Sequence, residues 1–258
     1  MSEAAHAANP APEKVTFTVD GKTLTATRGE SLLKVSLANG IHIPHLCYNE
    51  AVQAYGACRL CLVEVTSVSH GRRRTKISTS CNHPCLDGIE VVTDSPRIRR
   101  NRRMVLELLM ARVPGSPQLQ AIAADYGLTE EGVRFRRHDS QCILCGLCVQ
   151  ICRDLVGVEA LTFLGRGVNK DVRAPFAEPS KDCIGCGACV VACPVDCIKM
   201  EESATRRKII RWERDLPMKI CEACGYPFMP SFQALYFAKK KGMSFDDFKL
   251  CSDCRGEK

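Results

Sequence analysis

The sequence predicts an α+β chain of several small modules in series, and three observations predict it. Between residues 142 and 193, two runs of four cysteines repeat the same two-, two- and three-residue gaps: Cys142, Cys145, Cys148, Cys152, and then Cys183, Cys186, Cys189, Cys193 followed by Pro194. Ahead of them, alternating Val15, Phe17 and Val19, a turn pair Asp20-Gly21 and a helix-capping Ser31 lead into an irregular loop with Cys47, Cys58 and Cys61. Behind them, two CxxC pairs, Cys221/Cys224 and Cys251/Cys254, stand 26 residues apart.

Eighteen cysteines in 258 residues, gathered in clusters, set the chemistry. A secreted disulfide scaffold is expected to begin with a signal peptide, and MSEAAHAANPAPEK has no apolar core of that kind. No run of eighteen apolar residues predicts a membrane span. Reduced thiols binding metal in the cytoplasm are the consistent expectation. The net charge is +7, with arginines at 72–74, 97–103 and 134–137. Such runs read as a solvated face or a docking surface for an acidic partner. Aromatics do not alternate with them as a single-strand stacking platform requires, so nucleic acid is not an expected partner.

The central runs have bacterial ferredoxin spacing, in which three thiolates of one run and the last of the other hold each cube. Cys142, Cys145, Cys148 and Cys193 are the expected ligands of one [4Fe-4S] cluster, and Cys152, Cys183, Cys186 and Cys189 of a second. A tight CxxCxxC loop wraps three corners of a cube with its amides facing the sulfides, and Gly146, Gly185 and Gly187 permit the close approach. Zinc sites use two CxxC pairs rather than two runs of four. Arg153 stands where the first run has no proline. Cys197, in CPVDCIKM, is read as packing beside a complete cube. Between the runs, VEALTFLGRGVNKDVRAPFAEPS predicts a short strand pair.

In the N-terminal third, Leu24 to Ala26 pair back on the first strand, and Ser31 starts a helix through Ala38 that Gly40 closes. Hairpin, helix and cysteine loop is the order of β-grasp ferredoxins. Three thiolates from the loop and one from a distant turn can close a [2Fe-2S] rhomb, with two ligands per iron. Cys81 and Cys85 both offer that fourth thiolate. Leu62, Val63 and Val65 predict the strand that anchors the loop. A Rieske centre would pair two histidines with two cysteines, but His42, His45 and His83 lack that local pattern and are assigned to packing or solvent.

The ten-residue gap between Cys47 and Cys58 excludes the plant-type spacing. The segments IPHLC, GACRLCLVEV, SC..P.LDGIEVVTDS and the helix RIRRNRRMVLELLMA instead resemble the N-terminal module of the large iron-sulfur subunit of respiratory complex I and the small diaphorase subunit of NAD-linked hydrogenases. The resemblance implies [2Fe-2S] ligation by Cys47, Cys58, Cys61 and Cys81, because the family's fourth cysteine stands three residues before the proline at Pro84. It also implies a further [4Fe-4S] site of one histidine and three cysteines after that helix. ARVPGSPQLQAIAADYG has neither residue, so that cluster is expected to be absent. The helix itself is expected from Ser95-Pro96 to Val113, with Ile98, Val105, Leu108 and Leu109 as its apolar stripe.

The two C-terminal CxxC pairs fit a four-thiolate zinc site in a small zinc-ribbon-like module, with Cys221, Cys224, Cys251 and Cys254 as ligands; the same thiolates can hold an iron-sulfur centre. Segments 230–241 and 245–250 read as helical, with Phe232, Leu235 and Phe245 as a small core. The expected organisation is a disordered leader over 1–13, a [2Fe-2S] domain over 14–94, a helical connector over 95–138, a two-[4Fe-4S] domain over 139–203, and a charged linker with the four-cysteine module over 204–258. No phosphate loop and no nucleophile-base pair is evident. The resemblance therefore implies a non-catalytic electron-transfer subunit between a flavoprotein NAD(P)H dehydrogenase, which carries the flavin and the nucleotide, and a second catalytic subunit. That second subunit would be a hydrogenase, a formate dehydrogenase or part of an electron-bifurcating enzyme. The alternatives are a freestanding carrier or succinate-dehydrogenase-like subunit and, from charge and tail alone, a metal-dependent nucleic-acid-binding regulator.

Overall fold

The computed structural model describes residues 13–136 and 140–256, and most of the leader expected over 1–13 lies outside them. The chain divides into one unit of Met1–Glu50 with Ala54–Ser140 and a second of Ala51–Gln53 with Gln141–Lys258.

In the first unit, β1 (Lys14–Val19) and β2 (Lys22–Thr27) form the expected hairpin, with Val15 opposite Ala26 and Phe17 opposite Leu24. Asp20 and Gly21 take φ 49° and 80°, the left-handed pair that suits a two-residue hairpin turn. Ser31 caps α1 (Leu32–Ala38), accepting from the Lys34 amide at 3.4 Å. β3 (Leu62–Ser69) contains the expected strand at Leu62, Val63 and Val65 and pairs with β4 (Arg72–Thr79) in a second hairpin that the sequence does not predict, and β5 (Glu90–Val92) completes the sheet. The strand order is β2-β1-β5-β3-β4, with β1 and β5 parallel and the other pairs antiparallel. Val15, Phe17, Val19, Leu32, Leu33, Val63 and Val65 close the core between sheet and α1.

Helix α2 (Pro96–Arg112) begins at its Ser95 cap as expected, and α3 (Pro117–Ala124) follows, capped by Ser116. The buried face of α2 differs from the expected stripe. Ile98, Arg102, Leu106, Glu107 and Met110 face inward, while Leu108 is 49% exposed. Ile98, Arg102, Leu106 and Met110 recur every four residues, so the helical period selects an arginine that hydrophobicity alone passes over, and Glu107 flanks that row.

In the second unit, α4 (Leu147–Gln150) runs directly into a π-helical turn over Ile151–Val156 that carries Cys152. The strand pair between the cysteine runs is present as β6 (Thr162–Leu164) and β7 (Asp171–Arg173), with Phe163 opposite Val172. A short α5 (Ala188–Val191) holds the second run. The stretch expected as a charged linker is instead sheet. β8 (Met200–Glu202), β9 (Arg206–Ile209) and β10 (Arg214–Ile220) join β11 (Pro227–Pro230) in the order β11-β10-β9-β8. Its buried residues, Ile209, Leu216 and Met218, are spaced among charged ones, and arginine and lysine stems cover apolar surface while their charged ends reach out.

Helix α6 (Ser231–Lys241) matches the expected helix, and α7 (Ser252–Arg255) follows the last cysteine loop. The segment expected to be helical over 245–250 holds only a single 3-10 turn, Phe245–Asp247. The expected small core is also different: Ala234, Ala238 and Phe248 are buried, whereas Phe232, Leu235 and Phe245 are 43%, 56% and 37% exposed. No helix of the described residues is long and apolar enough to cross a membrane.

Candidate metal centres

No disulfide joins any of the eighteen cysteines, all of them among the described residues, and twelve of them converge in three groups of four in the N-terminal loop and the central runs. The first group is built by the β3-β4 pairing. Leu62 lies opposite Thr79, so Cys61 and Ser80 are neighbours across the hairpin, and both the Ser80 amide and its hydroxyl donate to the Cys61 carbonyl, at 2.8 and 2.9 Å. The start of α1 then fixes the Cys81 segment. The amides of Leu32 and Leu33 donate to the carbonyls of His83 and Ser80, and Ser31 Oγ donates to the Cys81 carbonyl at 2.8 Å. These bonds satisfy first-turn amides that a helix leaves unpaired.

Cys47, Cys58, Cys61 and Cys81 are each at most 2% exposed. The Cys58 amide donates to Cys47 Sγ at 3.3 Å. A shared hydrogen bond with Cys47 pulls the Cys58 thiol down to about 6, and one with Cys81 pulls Cys61 down to about 7, while Cys47 and Cys81 are pushed up as the protonated partners. Cys85 is fully buried in the same core cluster as Cys61 and Cys81. Burial and the neighbouring Glu30 push its thiol up to about 11. His45 Nδ1 and His83 Nδ1 both lie 2.8 Å from backbone carbonyls, those of Ile43 and Pro84, and burial lowers the His83 pKa.

A buried arginine supports this loop from behind. Arg102, 3% exposed, donates from Nε to the Leu60 carbonyl at 3.1 Å and from Nη2 to the Leu62 carbonyl at 2.6 Å, so its guanidinium spans Cys61 from both sides. Nη1 reaches the Tyr126 hydroxyl at 3.2 Å. In the sequence this arginine belongs to a run that reads as a solvated face or a docking surface, and its i, i+4 spacing from Ile98 is the signal that marks it as buried.

The central runs form two separate cavities. Cys142, Cys145, Cys148 and Cys193 line one, and Cys152, Cys183, Cys186 and Cys189 line the other, so the last cysteine of each run turns to the opposite loop. The two loops share one backbone course. Gly146 and Gly187 take φ 79° and 76°, and the corner before each falls on Leu144 at φ 55° and Gly185 at φ 69°. Left-handed corners turn successive amides inward, and the Leu144 amide indeed donates to Cys142 Sγ at 3.3 Å. Gly185 is required twice over, because a Cβ there would lie 2.5 Å from Leu216 Cδ1.

Cys197 sits at the rim of the first cavity, with its sulfur 3.5 Å from Cys193 Sγ and its amide donating to that sulfur at 3.3 Å. Hydrogen bonds from Cys197 pull Cys193 down to about 5 and Cys142 to about 7. In the second cavity burial dominates, raising Cys152 to about 11 and Cys189 to about 12. The π-helical turn that carries Cys152 is tied at its end by α6, where the Tyr236 hydroxyl donates to the Val156 carbonyl at 2.7 Å.

In the tail, the sulfurs of Cys221, Cys224, Cys251 and Cys254 all lie within 4.8 Å of one another, a condition that no other cysteine quartet meets among the described residues. Cys224 and Cys251 are 3.8 Å apart. The Cys251 amide donates to Cys221 Sγ at 3.4 Å and holds that thiol down to about 6.

Three family models match the chain. Residues 12–96 match a 2Fe-2S iron-sulfur cluster binding domain, and residues 136–200 and 182–226 match two 4Fe-4S dicluster domains. Among curated relatives, the chain is 30% identical over 234 residues to the NADPH-Fe(3+) oxidoreductase subunit alpha of Geobacter sulfurreducens, covering 82% of this chain and 27% of that protein. It is 32% identical over 218 residues to the NADP-reducing hydrogenase subunit HndD of Solidesulfovibrio fructosivorans, covering 73% and 36%. It is 30% identical over 231 residues to the mitochondrial NADH-ubiquinone oxidoreductase 78 kDa subunit of Neurospora crassa, covering 78% and 29%. The chain thus spans about a third or less of the length of these curated relatives. A chain of the NAD+-reducing [NiFe]-hydrogenase, solved in its H2-reduced state, superposes with a TM-score of 0.53 at 33% identity, covering 62% of this chain and 75% of that one. By its domains, its motifs and these likenesses, the chain belongs to the iron-sulfur subunit family that includes the diaphorase part of NAD-linked hydrogenases and the N-terminal part of the complex I large iron-sulfur subunit.

Proposed function

We propose that this protein relays single electrons between a flavoprotein NAD(P)H dehydrogenase subunit and a second redox subunit, through one [2Fe-2S] and two [4Fe-4S] clusters. The observation that carries the reading is the pair of four-cysteine cavities in the second unit, each completed by the last cysteine of the other run. Thiolate-held iron-sulfur clusters supply one-electron carriers whose potentials respond to burial, charge and hydrogen bonds.

On this reading Cys47, Cys58, Cys61 and Cys81 ligate the [2Fe-2S] cluster in a β-grasp module over 14–94. Cys81 is favoured over Cys85 because its thiol senses Cys61, Cys47 and Cys58, whereas Cys85 senses burial and Glu30. Cys142, Cys145, Cys148 and Cys193 serve the first cube, and Cys152, Cys183, Cys186 and Cys189 the second, in a module over 139–203. Residues 95–138 connect the two.

The tail quartet, in the segment over 204–258, takes a single zinc in a zinc-ribbon-like module. Four thiolates at about 2.3 Å around a tetrahedral ion stand about 3.8 Å apart, which is the separation of Cys224 and Cys251. A cube would spread the four sulfurs over its corners, farther apart than this quartet lies. The relatives that are subunits of NAD(P)-linked oxidoreductases support partners of the same kind, with flavin and nucleotide carried by the partner.

Anaerobic isolation of the native assembly, with iron, zinc and flavin quantified on one sample, tests the proposal. About ten irons and about one zinc per chain are expected by the ligand counts, together with flavin on a copurifying chain. A loaded chain that arrives without flavin or a second subunit would make it a freestanding carrier and overturn the subunit reading.

A further inference from the structure

The turn and strands that follow the second cysteine run address both cubane cavities with side chains that are not ligands. Trp212, 5% exposed and the one tryptophan of the chain, lines both cavities. Its indole N–H points to one side only, donating to Cys189 Sγ at 3.4 Å, a thiol of the second cavity. The adjacent Arg211 turns the other way. Its guanidinium lies at the first cavity beside Cys142 and Cys197, with its side chain 19% exposed, and pairs with Asp171 at 2.7 Å. Two further arginines of the same strands hold the second loop. Arg207 donates to the Gly185 carbonyl at 2.9 Å, and Arg214 to the Cys183 carbonyl at 3.1 Å.

We propose that the β9-β10 hairpin sets the midpoint potentials of the two cubes separately, with Arg211 acting on the first and Trp212 on the second. The inference rests on the cubane assignment made above. Reducing a cube by one electron adds one negative charge to it. A fixed cation close to its thiolates, or an N–H donor to one of them, stabilises the reduced form more than the oxidised form and raises the potential. The Arg211 side chain is 19% exposed, so solvent screens its charge only in part. Asp171, whose other carboxylate oxygen pairs with Arg173 at 3.2 Å, offsets part of it, so Arg211 belongs to a charged group rather than standing as a bare cation.

The opposed directions of the two side chains make the effect separable. R211Q removes the charge and keeps a polar amide. It should disfavour reduction of one cube by about tenfold, a fall of about 59 mV for a one-electron couple, and leave the other in place. D171N should move the same cube upward, because Arg211 is then no longer offset. The amide oxygen that D171N introduces can still accept the Val172 amide bond that Asp171 Oδ1 now accepts at 2.8 Å. W212F removes the indole N–H and should disfavour reduction of the other cube by about threefold.

The measurement is an electron paramagnetic resonance redox titration of the full-length loaded chain, with iron and labile sulfide quantified on each sample. Two cubane signals in the wild-type chain test the assignment on which the inference rests, and the variants' midpoints test the inference alone. Opposite shifts for R211Q and D171N at one cube, with W212F acting on the other, are the expected pattern. Unmoved midpoints, or R211Q and W212F acting on the same cube, would overturn it. If R211Q fails to load clusters, D171N decides by the sign of its shift. If W212F fails to load, the native chain labelled with indole-15N tryptophan decides, because absence of a nitrogen coupling to the cube that D171N leaves unmoved would also overturn the proposal.

Discussion

Replacing Arg102 by methionine tests how the [2Fe-2S] loop is held. The guanidinium fork bonds the carbonyls of Leu60 and Leu62, which flank Cys61 in a segment where both leucines are buried. Water has no ready access to replace it. Hydrogen bonds from a charged donor contribute about 1.5–3 kcal/mol each, so the two together amount to about 3–6 kcal/mol. Methionine restores part of the aliphatic packing, which leaves an expected loss of about 3 kcal/mol local to the loop. At about 1.4 kcal/mol per tenfold, the equilibrium for opening the loop rises about 100-fold. The assay is the rate at which a chelator strips iron from the [2Fe-2S] cluster, followed by its visible circular dichroism, with the cubane irons as internal reference. Arg102→Lys should fall between the two, because a single ammonium cannot reproduce the planar fork. Release from R102M within about threefold of wild type would refute the claim that this arginine closes the loop, since about 3 kcal/mol cannot leave so small a trace.

Gly185→Ala puts a Cβ 2.5 Å from Leu216 Cδ1 and keeps φ near +69°; the left-handed corner alone costs about 1–2 kcal/mol, so chemical denaturation should show the second unit destabilised by at least that much, and an unchanged midpoint would contradict the packing described. Cys58→Ser should remove the [2Fe-2S] signal and leave both cubane signals, as read by paramagnetic resonance; loss of the cubes instead would overturn the assignment of modules. Cys81→Ser should abolish the same signal while Cys85→Ala preserves it with a modest stability loss of about 1 kcal/mol or somewhat more, and the reverse result would exchange their roles. Cys254→Ser should release about one zinc and spare the irons, so a fall in iron content would show that the tail holds iron.

The cysteine spacing made most of the candidate centres legible, because the chemistry of a compact cluster is written in short gaps along one loop. The crossed pairing of Cys152 and Cys193 with the opposite runs follows from the same gaps. The hairpin, α1 with its Ser31 cap and the start of α2 at Ser95-Pro96 were legible for a related reason, since each depends on a few adjacent residues. What escaped was set by packing across distance. Arg102 and Glu107 point inward because of where the helix lies; Glu107, 2% exposed, is matched by Arg134 at 2.9 Å. The residues 202–215 read as a charged linker because their apolar positions are few and their arginines many, yet those arginines find carbonyls and carboxylates in the folded unit. Phe232 and Leu235 were counted as core on hydrophobicity, whereas the face of α6 that is buried is the one bearing Ala234 and Ala238, small enough for close approach.

Thiolates must be gathered locally to grip a cluster, but the groups that surround them need only arrive in space. In the first unit the support for Cys61 comes from a helix some forty residues later, through Arg102. In the second unit, Cys183, Gly185 and Cys189 receive Arg214, Arg207 and Trp212 from strands beyond both cysteine runs, and the segment bearing Cys152 is tied by Tyr236 of α6. A two-cluster segment cut at residue 203 would retain every expected cubane ligand and lose all four of these partners. Such a fragment should therefore still assemble its clusters, yet with looser retention and lower midpoint potentials than the full chain; equal values in the two proteins would mean that the strands after the cysteine runs contribute nothing to the centres.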